Sequence, residues 1–171
     1  MKKILDKDLT LFYSSNYPYI SKNKSLKKYY VALGIGGNVG DVKKTFDKLF
    51  LYLKDNKRFD IVITSPILRN PPFGFLQQND FLNGIILLKT NLSVNEFFKI
   101  MQRYEYRFKR VRTFKDAPRT LDIDIIFFHN KKVKTKNLTI PHKSWKNRKS
   151  VTIPLHYINH KFIKGYLWKK R

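Results

Sequence analysis

Leu121-Asp122-Ile123-Asp124-Ile125-Ile126-Phe127 alternates apolar and acidic side chains over its first five positions. A period of two is the signal of a strand, on which residues i and i+2 share a face. Leu121, Ile123 and Ile125 are expected on a buried face. Asp122 and Asp124 are expected together on the other, with Cα atoms roughly 7 Å apart. Two carboxylates side by side repel each other and need a counter-charge. Surface acids paired with nearby lysines are the plain reading. The chain holds only 12 acidic residues, however, so a pair on an otherwise apolar strand is unlike a chance placement. Mg²⁺ suits carboxylate oxygens combined with phosphate. Two acids on one face can hold one ion together or share two.

The segment before this strand, Arg110 to Arg119, is a basic loop. Five of the nine arginines (Arg103, Arg107, Arg110, Arg112, Arg119) fall within 17 residues. Guanidinium forks match phosphate oxygens two at a time, which an ammonium cannot do. The total charge is less informative. Lys plus Arg number 36 against 12 acids, a net charge of +24, which first suggests nucleic acid. The chain also has 27 Lys to 9 Arg and 13 Asn to 2 Ala, the mark of A/T-rich codons. Much of the lysine therefore reads as compositional bias on a solvated surface, and the arginine cluster as a phosphate site. Gln102 and Glu105, three apart on the preceding helix, would also suit a nucleotide's base or ribose.

Further upstream the elements fall in order. Tyr29 to Ile35 reads as a buried strand. Asp41 is placed to cap a helix running to about Asn56, with Val42, Phe46, Leu49 and Leu53 at helical spacing. Phe59 to Pro66 is β-branched and alternating, a second strand. A loop starts at Asn70-Pro71-Pro72-Phe73-Gly74, and Phe81 to Lys89 is a third strand. Ser93-Val-Asn-Glu96 is a capping box for a helix to about Lys109. The order strand, helix, strand, strand, helix, strand predicts an α+β fold of ferredoxin-like βαββαβ type. It implies an antiparallel sheet with helices on one face, plus a short C-terminal hairpin over Lys131 to Thr139. Residues 1–28, polar and Lys-rich, read as an N-terminal extension, and 29–171 as a single domain.

Composition excludes several classes. At 42% apolar and 15% aromatic the chain is too hydrophobic for disorder. It has no cysteine, hence no disulfide, thiolate ligand or thiol nucleophile. No apolar run is long enough to span a membrane. Asp6, Lys7 and Asp8 interrupt the only segment resembling a signal, so a cytoplasmic location is expected. Gly34-Ile-Gly36-Gly37-Asn38-Val-Gly40 lacks dinucleotide spacing. Those glycines are expected to let the chain turn closely above the sheet and leave Asn38 exposed. His156 and His160 have no acidic or Cys companion for a metal.

These blocks taken in order resemble the 6-hydroxymethyl-7,8-dihydropterin pyrophosphokinases of folate biosynthesis. The blocks are Ala32-Leu-Gly-Ile-Gly-Gly-Asn38-x-Gly-Asp41, Asn70-Pro-Pro-x-Gly74, Asp80-Phe-Leu-Asn83, Arg110-x-Arg112, Pro118-Arg-Thr-Leu-Asp-Ile-Asp124, and Pro141-His142 through Asn147-Arg148. The likeness covers about residues 29 to 158. It implies transfer of the β,γ-pyrophosphate of ATP to the pterin hydroxymethyl group, with release of AMP. It implies two Mg²⁺ on Asp122 and Asp124, with Arg110 and Arg119 joining them in catalysis. Arg110, Arg112, Arg119, His142 and Arg148 match positions at the triphosphate. Gln102, Glu105, Ile125 and Thr139 match the nucleotide pocket. Asn38, Asn70, Pro71, Phe73, Phe81, Asn83 and Asp122 match the pterin side. The implied partners are pterin and ATP, with no specific nucleic acid, no membrane and a monomeric state.

The chain departs from the family at several places, Gly37 for a common Ser and Asn70 for a smaller residue among them. Ser150 stands where the family commonly has an aromatic residue stacking on the pterin; either Trp145 or Phe81 supplies the missing face, or the local match is shifted, or pterin affinity is reduced. Asp116-Ala117 replaces Trp-Gly, and the loop between Arg112 and Arg119 looks about one residue shorter. A catalytically impaired member is therefore one alternative. A ferredoxin-like RNA-binding module is another, since the element order is the same. Phe81 to Leu88 lacks the aromatic pattern that such a module carries on its third strand.

Overall fold

The structure is a computed structural model that describes residues 1–111 and 117–168. Its elements run β1 (Lys2–Ile4), β2 (Thr10–Phe12), β3 (Tyr29–Gly37), α1 (Val42–Asp55), β4 (Phe59–Thr64), β5 (Ile67–Asn70), β6 (Phe81–Thr90), α2 (Val94–Arg107), β7 (Asp122–Phe128), β8 (Val133–Lys134), β9 (Thr139–Ile140), α3 (Lys149–His156) and α4 (Lys161–Leu167). This is a mixed α and β fold with four α-helices among the described residues. The seven strands β1–β7 form one antiparallel sheet, ordered β1-β2-β5-β6-β3-β7 with β4 also paired to β6.

Local chemistry explains the two long helices. Asp41 accepts from the Lys44 N–H at 3.0 Å and starts α1. At α2 the capping box is complete: Ser93 accepts from the Glu96 N–H, and the Glu96 carboxylate accepts from the Ser93 N–H at 2.9 Å. Both helices lay their apolar stripes on one face of the sheet. There Phe46, Leu49, Leu53, Phe97 and Met101 meet Val31, Leu33, Ile35, Ile86, Leu88, Ile123 and Ile125.

Helices confined to one face were expected, and the structure corrects this. The opposite face carries a second core, in which Val151, Leu155, Ile158 and Ile163 from α3, α4 and their junction pack on Ala32, Ile85, Leu87, Ile126 and Phe127. Both helices are short and Pro154 lies inside α3, so neither shows a periodic stripe long enough to read. β8 and β9 form a two-stranded pair, and α3 and α4 follow it.

Residues 1–28 join the sheet. β2 pairs with β5 and β1 with β2, and Leu9, Leu11 and Tyr17 are buried. Strands of three residues leave almost no period to detect. The strand read from Phe59 to Pro66 is β4, ending at Thr64, and a further strand that was not expected, β5, follows Pro66 and pairs with β6 farther along.

Candidate active site

The site follows from strand register. In β7, Asp124 lies opposite Gly34 of β3 and Asp122 opposite Gly36. Across β3, Gly34 lies opposite Ile85 of β6 and Gly36 opposite Asn83. Directly opposed residues share a face. Two rows therefore cross the sheet on the α3 side, Asp122-Gly36-Asn83 and Asp124-Gly34-Ile85. The two glycines leave a trough in the middle. A Cβ on Gly36 would sit 2.7 Å from Asn83 Oδ1, and one on Gly34 would sit 3.1 Å from Ile126 Cδ1. These glycines are thus the floor of a cavity, within the strand, where a turn was expected.

Two cavities meet at the acid pair. The first is lined by Gly34, Gly36, Asn70, Phe73, Phe81, Asn83 and Ser150. The second, about 650 Å³, is lined by Gln102, Glu105, Arg110, Ile125, Thr139 and His142. Arg119, Asp122, Asp124 and Arg148 line both and form the partition. The Arg119 guanidinium lies over the Phe81 ring at 4.9 Å, and that of Arg148 over the Phe73 ring at 5.9 Å. Asn83 donates from Nδ2 to Asn70 Oδ1 at 2.7 Å, which fixes the amide beside the trough.

The charges are tightly arranged. Asp122 Oδ1 is 2.7 Å from Arg110 Nη1, and Asp122 Oδ2 is 3.3 Å from Arg119 Nε. Arg110 also pairs with Glu105, which is buried in α2 and accepts from the Ile123 N–H at 2.8 Å. Glu105 thereby ties α2 to β7. Asp124 fares differently. Burial and then the neighbouring Asp122 push its carboxyl up to about 7, against the pull of Arg148. His142 is held below the usual imidazole range by burial and by Arg148 and Lys143. Its Nδ1 accepts from the Ser144 N–H at 3.4 Å, so the neutral ring carries its proton on Nε2, 3.9 Å from Asp124 Oδ2.

This donor set fits a hard cation. It offers carboxylate oxygens and no thiol, and Asp124 holds a charge that its surroundings under-compensate. Among the described residues no third His, Asp or Glu completes a metal cluster. An ion held here would take its remaining ligands from phosphate and water.

Similarity to known proteins agrees with this geometry. The family model of 7,8-dihydro-6-hydroxymethylpterin-pyrophosphokinase (HPPK) matches residues 32–160, the span that holds both cavities. The chain belongs to the HPPK family. It is 46% identical over 142 residues to the 2-amino-4-hydroxy-6-hydroxymethyldihydropteridine pyrophosphokinase of Campylobacter jejuni, covering 83% of this chain and 90% of that one. It is 41% identical over 151 residues to the protein of the same name from Helicobacter pylori, covering 87% and 93%. The Bacillus subtilis protein of that name is 31% identical over 126 residues, covering 74% of each.

The structure brings most of the HPPK positions together, with exceptions. Asn38, expected to be exposed, is only 6% exposed and lines neither cavity. Its Oδ1 accepts from the Arg119 N–H at 2.9 Å, and its Nδ2 donates to Gln78 Oε1 and Asn79 O at 2.8 and 3.0 Å. It clips the loop before β6 to the backbone of Arg119. Pro71 lies outside the trough, in an adjoining cavity with Asn70 and Phe73. Phe81 lines the first cavity beside Ser150, whereas Trp145 packs edge-on against Phe127 in the second core. Arg112 lies outside the described residues. Ile126 and Val151 line the first cavity and were not singled out in the sequence. Alternation from Asp122 and Asp124 onward points to Ile126, whereas Val151 gives no such signal.

Proposed function

We propose that the two cavities divide the HPPK reaction between them, the glycine-floored trough taking the pterin and the larger cavity taking ATP. The chain is a pyrophosphokinase that moves pyrophosphate from ATP to the hydroxymethyl group of 6-hydroxymethyl-7,8-dihydropterin, a step of folate biosynthesis. The single observation that carries the division is the partition. Asp122, Asp124, Arg119 and Arg148 line both cavities, so a hydroxymethyl group entering from one side meets a triphosphate entering from the other.

The roles follow from position. A flat heterocycle needs apolar or aromatic walls and a few fixed polar partners. Phe81, Phe73 and Ile126 supply the walls, and the tethered amides of Asn83 and Asn70 read the pterin's polar edge. As it stands the trough holds about 70 Å³, so the exposed Phe73 and its loop yield as the ring enters. Gln102, Ile125 and Thr139 line the side of the larger cavity that would take the nucleoside. Arg110, Arg119 and Arg148, with His142, orient the triphosphate and spread its growing charge, and the family resemblance adds Arg112 to them. The pterin oxygen attacks the β-phosphorus, the bond from that phosphorus to the α,β-bridging oxygen breaks, and AMP leaves with that oxygen. The hydroxyl proton passes to solvent. Asp122 and Asp124 would hold two Mg²⁺, which supply charge neutralisation at the phosphates and acidify the attacking hydroxyl. The scaffold is the ferredoxin-like arrangement of β3, β4, β6 and β7 with α1 and α2, and the enzyme works as a cytoplasmic monomer.

The test is AMP release from ATP and Mg²⁺, which should require the reduced hydroxymethylpterin. ATP turnover unaffected by the pterin, or sequence-selective RNA binding without pterin-dependent AMP, would overturn the reading.

A further inference from the structure

The N-terminal strands lie outside the residues that match the HPPK family, yet they continue the face that holds the site. The row Asp122-Gly36-Asn83 does not end at β6. Asn83 lies opposite Leu68 of β5, and Leu68 lies opposite Leu11 of β2. Leu11 and, two residues earlier, Leu9 therefore sit on the same face as the trough. Leu9, Leu11 and Leu68 form a buried cluster of their own, with Ile153 of α3 packed against it. The start of α3 carries Arg148 as its cap, with Ser150 and Val151 in its first turn, all three on the trough. β5 ends at Asn70, and Arg69 beside it donates from Nη2 to Thr10 Oγ1 at 3.2 Å.

Behind the trough is an adjoining cavity of about 370 Å³. Asn70, Phe73, Arg148 and Ser150 line both spaces and stand at their shared border. The far wall of the second space is the turn between β1 and β2, through Asp6, Asp8 and Leu9. That turn is fixed: Asp6 Oδ1 accepts from the N–H groups of Asp8 and Leu9, each at 2.8 Å.

We propose that the N-terminal strand pair is a positioning element of the pterin pocket. Leu9 and Leu11 seat α3, and through it set where Arg148 and Ser150 stand against Asn70 and Phe73. The inference rests on the trough being the pterin pocket. It assigns Leu9 as a positioning residue, since it lies behind the partition and touches no reacting atom.

The test compares three variants of the full-length protein by steady-state kinetics and thermal melting. Leu9→Ala removes the seat. Leu9→Met restores most of its volume. Leu53→Ala truncates an equivalent leucine in the opposite core, under α1, and serves as the match for general loss of stability. Displacements of an ångström at a site carry large kinetic costs, so Leu9→Ala is expected to raise the KM for the pterin about tenfold. Leu9→Met should recover to within about threefold of wild type, and Leu53→Ala should lower the melting temperature while leaving that KM unchanged. An unchanged pterin KM in folded Leu9→Ala overturns the proposal, as does an equal rise in Leu53→Ala. If Leu9→Ala fails to fold, Ile153→Ala removes the α3 side of the same contact, with a raised pterin KM expected and an unchanged one overturning the proposal. Wild-type protein without pterin-dependent AMP release would instead defeat the assignment of the trough, a separate outcome.

Discussion

The two faces of the sheet are built from the same strands and have opposite fates. Toward α1 and α2, β3 presents Val31, Leu33 and Ile35, and β7 presents Ile123 and Ile125, a continuous apolar layer. Toward α3, the same strands present Gly34, Gly36, Asp122 and Asp124, and apolar packing resumes at Ala32, Ile126 and Phe127, with Ile85 and Leu87 of β6 beside them. One face is filled and the other is filled at one end and hollow at the other. The difference lies in side-chain volume and charge at alternate positions and not in backbone, which is shared. A strand can therefore bear stability on its odd positions and chemistry on its even ones, and substitutions should separate the two.

The widest separation is expected at the acids. Asp122→Asn or Asp124→Asn should lower kcat in the pterin-dependent AMP assay by about 10²–10³-fold or more, with an unchanged circular dichroism spectrum. On the filled face, Leu33→Ala should cost about 2–5 kcal/mol by denaturant unfolding, while the folded fraction keeps wild-type turnover. If Leu33→Ala impairs chemistry as severely as the acid variants, the faces are not independent. Next in size is a pH effect in Mg²⁺-free buffer. Asp124 has a raised folded carboxyl, to about 7, so the folded state holds a proton that the unfolded chain gives up near its ordinary value. Its contribution to stability is full below the unfolded value and is lost as pH rises toward 7. The stability gap between wild type and Asp124→Asn should shift over that window, and a gap independent of pH would show the carboxyl to be unperturbed. Gly36→Ala pushes only on the Asn83 amide, so it should raise the pterin KM about tenfold with little change in melting temperature. The smallest effect belongs to the filled face again. Ser93→Ala removes the α2 cap and should cost about 1 kcal/mol, visible as a lower melting temperature with unaltered kinetics.

The filled face was the legible one. Its helices announce themselves through Asp41 and the Ser93/Glu96 box, and its strands through alternation, because regular packing imposes a regular period. The acids were legible for a different reason, being charged groups on an otherwise apolar strand; the arginines were legible through their clustering, and Asn83 through the family resemblance alone. What stayed hidden lacks both signals. β1 and β2 are too short for a period. α3 and α4 have about two turns each. Gly34 and Gly36 looked like turn formers because a missing side chain is ambiguous until the opposing residues are known. Asn38 looked exposed because nothing local reveals that Gln78, Asn79 and Arg119 converge on it. Ile126 is the extra residue where the ladder slips between Ala32 and Leu33, so the alternation started by the acids does not continue to Phe128.

The sheet's borders have a consequence for how this strongly cationic chain behaves in a crowded solution. A bare strand edge invites pairing with another molecule. β1 ends one side with Lys2 and Lys3 on a strand of only three residues. The free side of β4 is taken by residues 19–21, whose backbone bonds to Val62 and Thr64. On β7 the Ile123 N–H is claimed by Glu105 and the Ile126 carbonyl by the His142 N–H, at 2.9 Å. The groups that shape the nucleotide cavity thus also block that border. Removing the Glu105 carboxylate would then expose the Ile123 N–H on that border as well as loosen Arg110, so loss of activity and a tendency to self-associate should appear together.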